Sequence, residues 1–127
     1  MKVVQDDQAF EQFAIFCHDK KPVNSLFPQV YEYFYLADRS FCCIVERIIP
    51  LLKFGDAYQV EDLVENLSMG EEIPDNYQML MKNLKFNNKQ LAQFIEIVRS
   101  FGKDDIQVNN MGRRKDGSLV IFDPVKP

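Results

Sequence analysis

The chain has no tryptophan, one histidine (His18) and three cysteines, and these scarcities narrow its chemistry. With a single His, and with Cys17, Cys42 and Cys43 forming no Cys-x-x-Cys, a tetrahedral zinc site has no ligand set to draw on. Three cysteines cannot all pair, and each stands among apolar neighbours, so buried free thiols in a reducing cytoplasm are expected. No apolar run approaches the length that spans a bilayer. The start, Met1-Lys2-Val3-Val4-Gln5-Asp6-Asp7, turns acidic at once and offers no apolar core of a signal peptide. Lys and Arg number 15 against 19 Asp and Glu, for a net charge of −4, and the short basic run is Arg113-Arg114-Lys115. Such a balance does not neutralise a nucleic-acid backbone, and the run reads as a solvated turn. There is neither a low-complexity linker nor an internal repeat. A cytoplasmic protein is expected, with no membrane and no nucleic-acid partner.

What is present is ordinary globular material rich in small aromatics. In 127 residues, 46% are hydrophobic and 27% charged, with 11 Phe and 5 Tyr. That length suits one domain, 1–127, with a candidate division near Pro50–Gly55 into sub-lobes 1–50 and 55–127. Lys2-Val3-Val4 reads as a short strand. Asp6 or Asp7 then caps a helix to about His18, with Phe10, Phe13, Ala14 and Cys17 on one stripe, and Lys20-Lys21-Pro22 stops it. Two strand-like runs follow, from Phe27 to Leu36 and from Phe41 to Ile48, joined by Ala37-Asp38-Arg39-Ser40 as an antiparallel hairpin. The middle is helical. Val60, Leu63, Val64 and Leu67 form a face after Asp56, ended by Ser68-Met69-Gly70. Tyr77, Leu80, Met81 and Leu84 form a second after Pro74, and Leu91, Phe94, Ile95 and Val98 a third, capped by Asn87 or Asn88. Phe13, Cys17, Leu63, Leu80, Phe94, Ile95, Val98 and Ile121 are the expected core.

The last quarter carries the chemistry. Asp116-Gly117 is a strong turn signal between Val108–Arg113 and the apolar run Leu119-Val120-Ile121-Phe122. A hairpin over 107–123 returns Asp123 towards Asp105 and Asn110, so three oxygen-bearing side chains converge. The same residues also serve a plain surface hairpin whose Asp and Asn only make turns.

An Asp, four residues, an Asn, a hairpin and an Asp resembles the catalytic loop and metal-binding Asp of the protein-kinase-like superfamily. Asn110-Met111-Gly112 is closest in flavour to its small bacterial and phage branch. Two further stretches strengthen the resemblance in the right order. Leu26-Phe27-Pro28-Gln29-Val30-Tyr31-Glu32 looks like the lead-in to the first strand after the helix, and Ile44-Val45-Glu46-Arg47-Ile48 resembles the Val-Met-Glu-Arg-Leu hinge. The resemblance implies an α+β, partial kinase-like fold: a remnant antiparallel sheet, a mainly helical second lobe and the terminal hairpin. It implies Asp105 as the catalytic Asp, Asn110 and Asp123 as magnesium ligands, and Lys2 with its helix partner Glu11 on ATP phosphates. The backbone from Glu46 to Ile48 would hydrogen-bond adenine. ATP and Mg²⁺ are the implied cofactors, chemically suited to oxygen donors that leave room for water.

The departures matter as much. Gly-x-Gly-x-x-Gly occurs nowhere, Lys103 stands where a protein kinase has His, and Asp123-Pro124 replaces Asp-Phe-Gly. With Pro124-Val125-Lys126-Pro127 after Asp123, no activation segment or substrate-carrying helices are expected. Three functions stay open: a kinase-like regulatory or interaction module with a vestigial Mg·ATP site, a minimal phosphotransferase, and a small α+β interaction protein unrelated to kinases. A sheet that starts at the kinase third strand leaves an open edge, so a second copy or another protein is expected to cover it.

Overall fold

Two of the helices begin where a side chain relieves an unsatisfied backbone group, at Asp7 and at Asn87. The computed structural model describes residues 1–20, 23–51, 57–68 and 77–127. Strand β1 (Lys2–Val4) leads to helix α1 (Gln8–Lys20). Asp7 Oδ1 accepts from the amide of Phe10 at 3.0 Å and so caps the helix. The buried stripe is Ala9, Phe10, Phe13, Ala14 and Cys17, and the helix runs on to Lys20. Lys21 and Pro22, expected to stop it, lie outside the described residues.

Strands β2 (Val30–Tyr35) and β3 (Phe41–Val45) form the expected antiparallel hairpin, with Tyr35 opposite Phe41 and Tyr33 opposite Cys43. Its turn is closed by Leu36 and Ser40, and Asp38 Oδ1 takes the amide of Ser40 at 2.9 Å. Both strands are shorter than the apolar runs that encode them. Pro28 lacks an N–H for the ladder, and Glu46 donates its amide to Gln29 O outside the strands. β1 joins the far side of β3, Lys2 opposite Cys43, giving the order β1-β3-β2.

Past Glu46–Ile48 comes β4 (Ile49–Pro50), which pairs with β6 (Met111–Arg113) of the terminal hairpin. β6 pairs in turn with β7 (Leu119–Ile121), Met111 opposite Ile121. Gly117 sits at φ 92°, a conformation that needs glycine, and Asp116 Oδ1 accepts from both the amide and the hydroxyl of Ser118. The first limb is shorter than the sequence suggests. Val108–Asn110 coils into a 3-10 turn, held by Asn110 Nδ2 on Asp105 O at 2.8 Å.

Between these sheets lie α2 (Ala57–Ser68), α3 (Gln78–Leu84) and α4 (Asn88–Arg99). Asn87 and Gln90 form a reciprocal capping box that starts α4, as the sequence suggests. The expected signals at Asp56, Met69-Gly70 and Pro74, and the division point near Gly55, lie outside the described residues. β5 (Lys103–Asp104) and β8 (Val125–Lys126) pair to close the chain. The protein is α+β with small antiparallel sheets, and among the described residues no helix is long and apolar enough to cross a membrane.

All eight residues expected in the core are buried, and all three cysteines are free and buried. One continuous apolar cluster runs from Ala9 to Val125, crossing both candidate sub-lobes. At its centre Phe27 meets Phe94 at 4.7 Å between ring centroids, and Phe13 packs on both. Because this ring cluster is close-packed on every side, Phe94→Ala should cost about 3–5 kcal/mol in denaturant unfolding. A loss below about 1 kcal/mol would place Phe94 at a site able to collapse.

Candidate functional site

The two ends of the chain meet through Lys2. Its partner in register is Cys43, so its side chain leaves the sheet on the face covered by α1. Nζ passes 3.9 Å above the centroid of the Phe10 ring and reaches Asp123 Oδ2 at 2.6 Å. The two side chains are 31% and 30% exposed, so water screens the pair only in part. Asp123 is delivered there by the hairpin: Phe122 donates its amide to Asn110 O, and Ile121 donates to Leu26 O.

Beside this pair opens a cleft of about 200 Å³, lined by Lys2, Phe10, Val45, Glu46, Ile48, Pro50 and Phe122. Its walls are mainly aliphatic and aromatic, with Lys2, paired to Asp123, and Glu46, paired to Arg114, as the charged residues on it, a surface suited to a flat apolar ring. Lys2, Glu46 and Ile48 were singled out from sequence and line it together. Phe10, Val45, Pro50 and Phe122 were not singled out as cleft walls, because an apolar side chain in sequence carries no mark that separates a cleft wall from core.

Glu46 serves the site differently from expectation. It is 9% exposed, and its carboxylate is fully engaged. Arg114 Nε and Nη2 grip Oε1 and Oε2 at 2.6 and 2.9 Å, and the amide of Gln29 donates to Oε2 at 2.6 Å. Arg114 is thus no solvated turn residue, as the basic run suggests. Its guanidinium also donates to Ser25 O, Phe27 O and Ser118 Oγ. The physical reason is that a buried carboxylate demands a partner, and Arg113-Arg114-Lys115 offers the sequence reader no sign of which cation turns inward.

The other expected residues divide between neighbouring sites. Glu11 is not paired with Lys2. It accepts instead from the hydroxyl of Tyr35, whose pKa is raised chiefly by that bond. Asp105 and Asn110 are brought together: Asn110 Nδ2 lies 2.8 Å from Asp105 O and 3.5 Å from Asp105 Oδ2. Gln107 Nε2 holds Asp105 Oδ1 at 2.6 Å, and the Asp105 amide donates to Pro124 O. Asp105 lines a separate cleft of about 300 Å³ with Glu61, Val64, Glu65, Asp104, Ile106, Gln107 and Lys126. Asn110 and Asp123 are oxygen-bearing residues suited by type to hard Mg²⁺. Among the described residues no three His, Cys, Asp or Glu side chains cluster around a common metal position.

Burial raises the Cys43 thiol pKa, with the Lys2 charge pulling the other way, so the thiol beside the Lys2 strand is protonated and inert. No family model, curated protein or solved structure matches this chain.

The hairpin turn that delivers Asp123 carries its own titration. The Ser118 amide, then its hydroxyl, holds Asp116 below the ordinary carboxyl value of 3.8. A lowered folded-state pKa means the contribution is complete above 3.8 and is lost as pH falls through the lowered value. Thermal melts of wild type and Asp116→Asn should therefore differ by a constant amount at neutral pH and converge in acid. Curves that stay parallel down to acid unfolding would show that the turn does not depend on this charge.

Proposed function

We propose that the chain is a kinase-like nucleotide-binding module. The base of a purine nucleotide enters the apolar cleft, its phosphates lie towards Lys2, and the module acts through binding. The observation that carries this reading is the grouping of Lys2, Glu46 and Ile48 around one cleft, with Asp123 bonded to Lys2 at its edge. Two of the stretches that suggest the family reach this cleft: Val45, Glu46 and Ile48 of the hinge-like stretch line it, and Phe122 beside Asp123 lines it from the terminal hairpin. Asn110 and Asp123 would hold Mg²⁺, whose charge would neutralise the nucleotide's phosphates.

Binding is preferred to transfer because Asp105 lines another cleft and Gln107 occupies one of its carboxylate oxygens. A phosphotransferase needs that Asp beside the acceptor hydroxyl and the terminal phosphate together. The absence of any Gly-x-Gly-x-x-Gly also leaves phosphates without a backbone cradle in this sequence. Calorimetric titration with Mg·ATP should give a dissociation constant on the order of 10⁻⁴ M. Asp123→Asn should remove the magnesium dependence while circular dichroism stays unchanged. Binding that is identical with and without magnesium, or none at millimolar nucleotide, would sink the assignment. Steady phosphate transfer to a hydroxyl acceptor would instead favour the minimal enzyme.

A second reading concerns association, and a specific edge favours it. β1 is an outer strand of its sheet, and Val3 is 47% exposed on the face opposite α1, near Ile44 at 37%. The unpaired backbone of such an edge accepts an added strand, from a second copy or another protein. Sedimentation at micromolar concentration should show a dimer that Val3→Lys shifts to monomer, since an edge lysine opposes strand addition. Monomer alone for the wild type would leave a different partner, or none, at this edge.

A further inference from the structure

We infer that Arg114 is a positioning residue for the cleft, fixing the wall from Glu46 to Ile48 against which a ligand ring would lie. The inference rests on the nucleotide-binding reading and says what sets the shape of that site. Arg114 is not among the residues that line the cleft, so its bonds to Glu46 reach the cleft through the wall. Its fork instead locks Glu46 through two hydrogen bonds, and it reaches the carbonyls of Ser25 and Phe27 at 2.6 and 3.0 Å. Glu46 passes the constraint on by accepting from the Gln29 amide and by donating its own amide to Gln29 O. The segment ahead of β2, the end of β3 and the terminal hairpin are therefore joined at one guanidinium.

The same hairpin sets the other end of the wall. A Cβ on Gly112 would lie 2.1 Å from Ile48 Cγ2 and 2.7 Å from Ile49 O, so the backbone of β6 supports Ile48 directly. Ile48 thus has its height fixed by Gly112, while Glu46, two residues earlier, is fixed by Arg114. Between them the hairpin decides how far the wall stands from Phe10 and Phe122 across the cleft. A lysine at 114 would keep the charge but lose the fork, since an ammonium is a point donor that cannot grip both carboxylate oxygens and two carbonyls.

The test compares affinity with stability. Mg·ATP is titrated into wild type, Arg114→Lys, Glu46→Gln and Leu80→Val, each first shown folded by circular dichroism. Leu80 is buried on α3 and lines neither the Lys2 cleft nor the Asp105 cleft, so its variant lowers stability without touching the wall. Arg114→Lys and Glu46→Gln should each weaken binding about tenfold, because a wall that must be ordered on binding costs affinity. Leu80→Val should lower the melting temperature and leave the dissociation constant unchanged. Exchange of the Glu46 amide, which bonds Gln29 O, should quicken in Arg114→Lys while the amides of α4 keep their rates. If wild type binds and both clasp variants bind equally well, Arg114 is merely structural and the inference fails while the nucleotide reading stands. If wild type does not bind at all, both fall together.

Discussion

A buried carboxylate must be matched, and the Glu46–Arg114 pair is the constraint on which the rest of this structure depends. Glu46 sits where β3 leaves its sheet, and Arg114 sits in the turn of a hairpin encoded 68 residues later. Removing either partner alone would strand the other in a poorly solvated place, at about 3–5 kcal/mol. A pair of aliphatic residues could fill the same space without that risk. What they could not supply is direction: the planar fork accepts one orientation of the carboxylate and two particular carbonyls. The pair thereby adds a directional tie between the first sheet and the hairpin, beside the β4–β6 pairing and the Ile121 amide on Leu26 O.

The second junction works by opposite physics. Lys2 and Asp123 form a half-exposed pair, of the kind that contributes about 0–1 kcal/mol. It adds little to stability and leaves a cation whose partner can be exchanged. A ligand anion at the cleft mouth would compete with Asp123 for Lys2, whereas nothing at that mouth competes with Arg114 for Glu46. The fold thus places a rigid ion pair behind the cleft wall and an exchangeable one at its edge. Gly102 shows how tightly the ends are drawn together, since a Cβ there would lie 2.5 Å from Lys126 O.

Much of the fold is legible in the sequence because its signals are local. Asp7, Asn87 and Gly117 each act within a few residues, and periodicity marks Phe13, Phe94 and Val98 as core without knowledge of topology. The α+β class and the hairpin follow from such signals. The site is legible only in part. Lys2, Glu46 and Ile48 reach one cleft, but nothing local says that Lys2 bonds Asp123 while Glu11 bonds Tyr35. Arg114 is the clearest omission. Three cations in a row are chemically alike in sequence, and only the depth of the turn decides that the middle one faces Glu46.

Asp105 stands one backbone hydrogen bond from Pro124, the residue that follows Asp123. A hydrogen-bonded loop fixes it there: the Asp105 amide bonds Pro124 O, Asn110 bonds Asp105 O, and Gln107 holds the carboxylate. The β5–β8 pairing begins beside these bonds, at Asp104 and Val125. Glu61 reinforces the arrangement by accepting the amide of Val108 at 3.2 Å. The carboxylates around it are Glu61, Glu65 and Asp104, the last paired with Arg99, and Lys126 is the cation on the same cleft. Phosphoryl transfer gains its rate from holding both reactants and the base in register. Here Asp105 lines one cleft with Glu61, Glu65, Asp104 and Lys126, while Lys2 lines another with Phe10 and Phe122, and the segment 122–125 runs beside both.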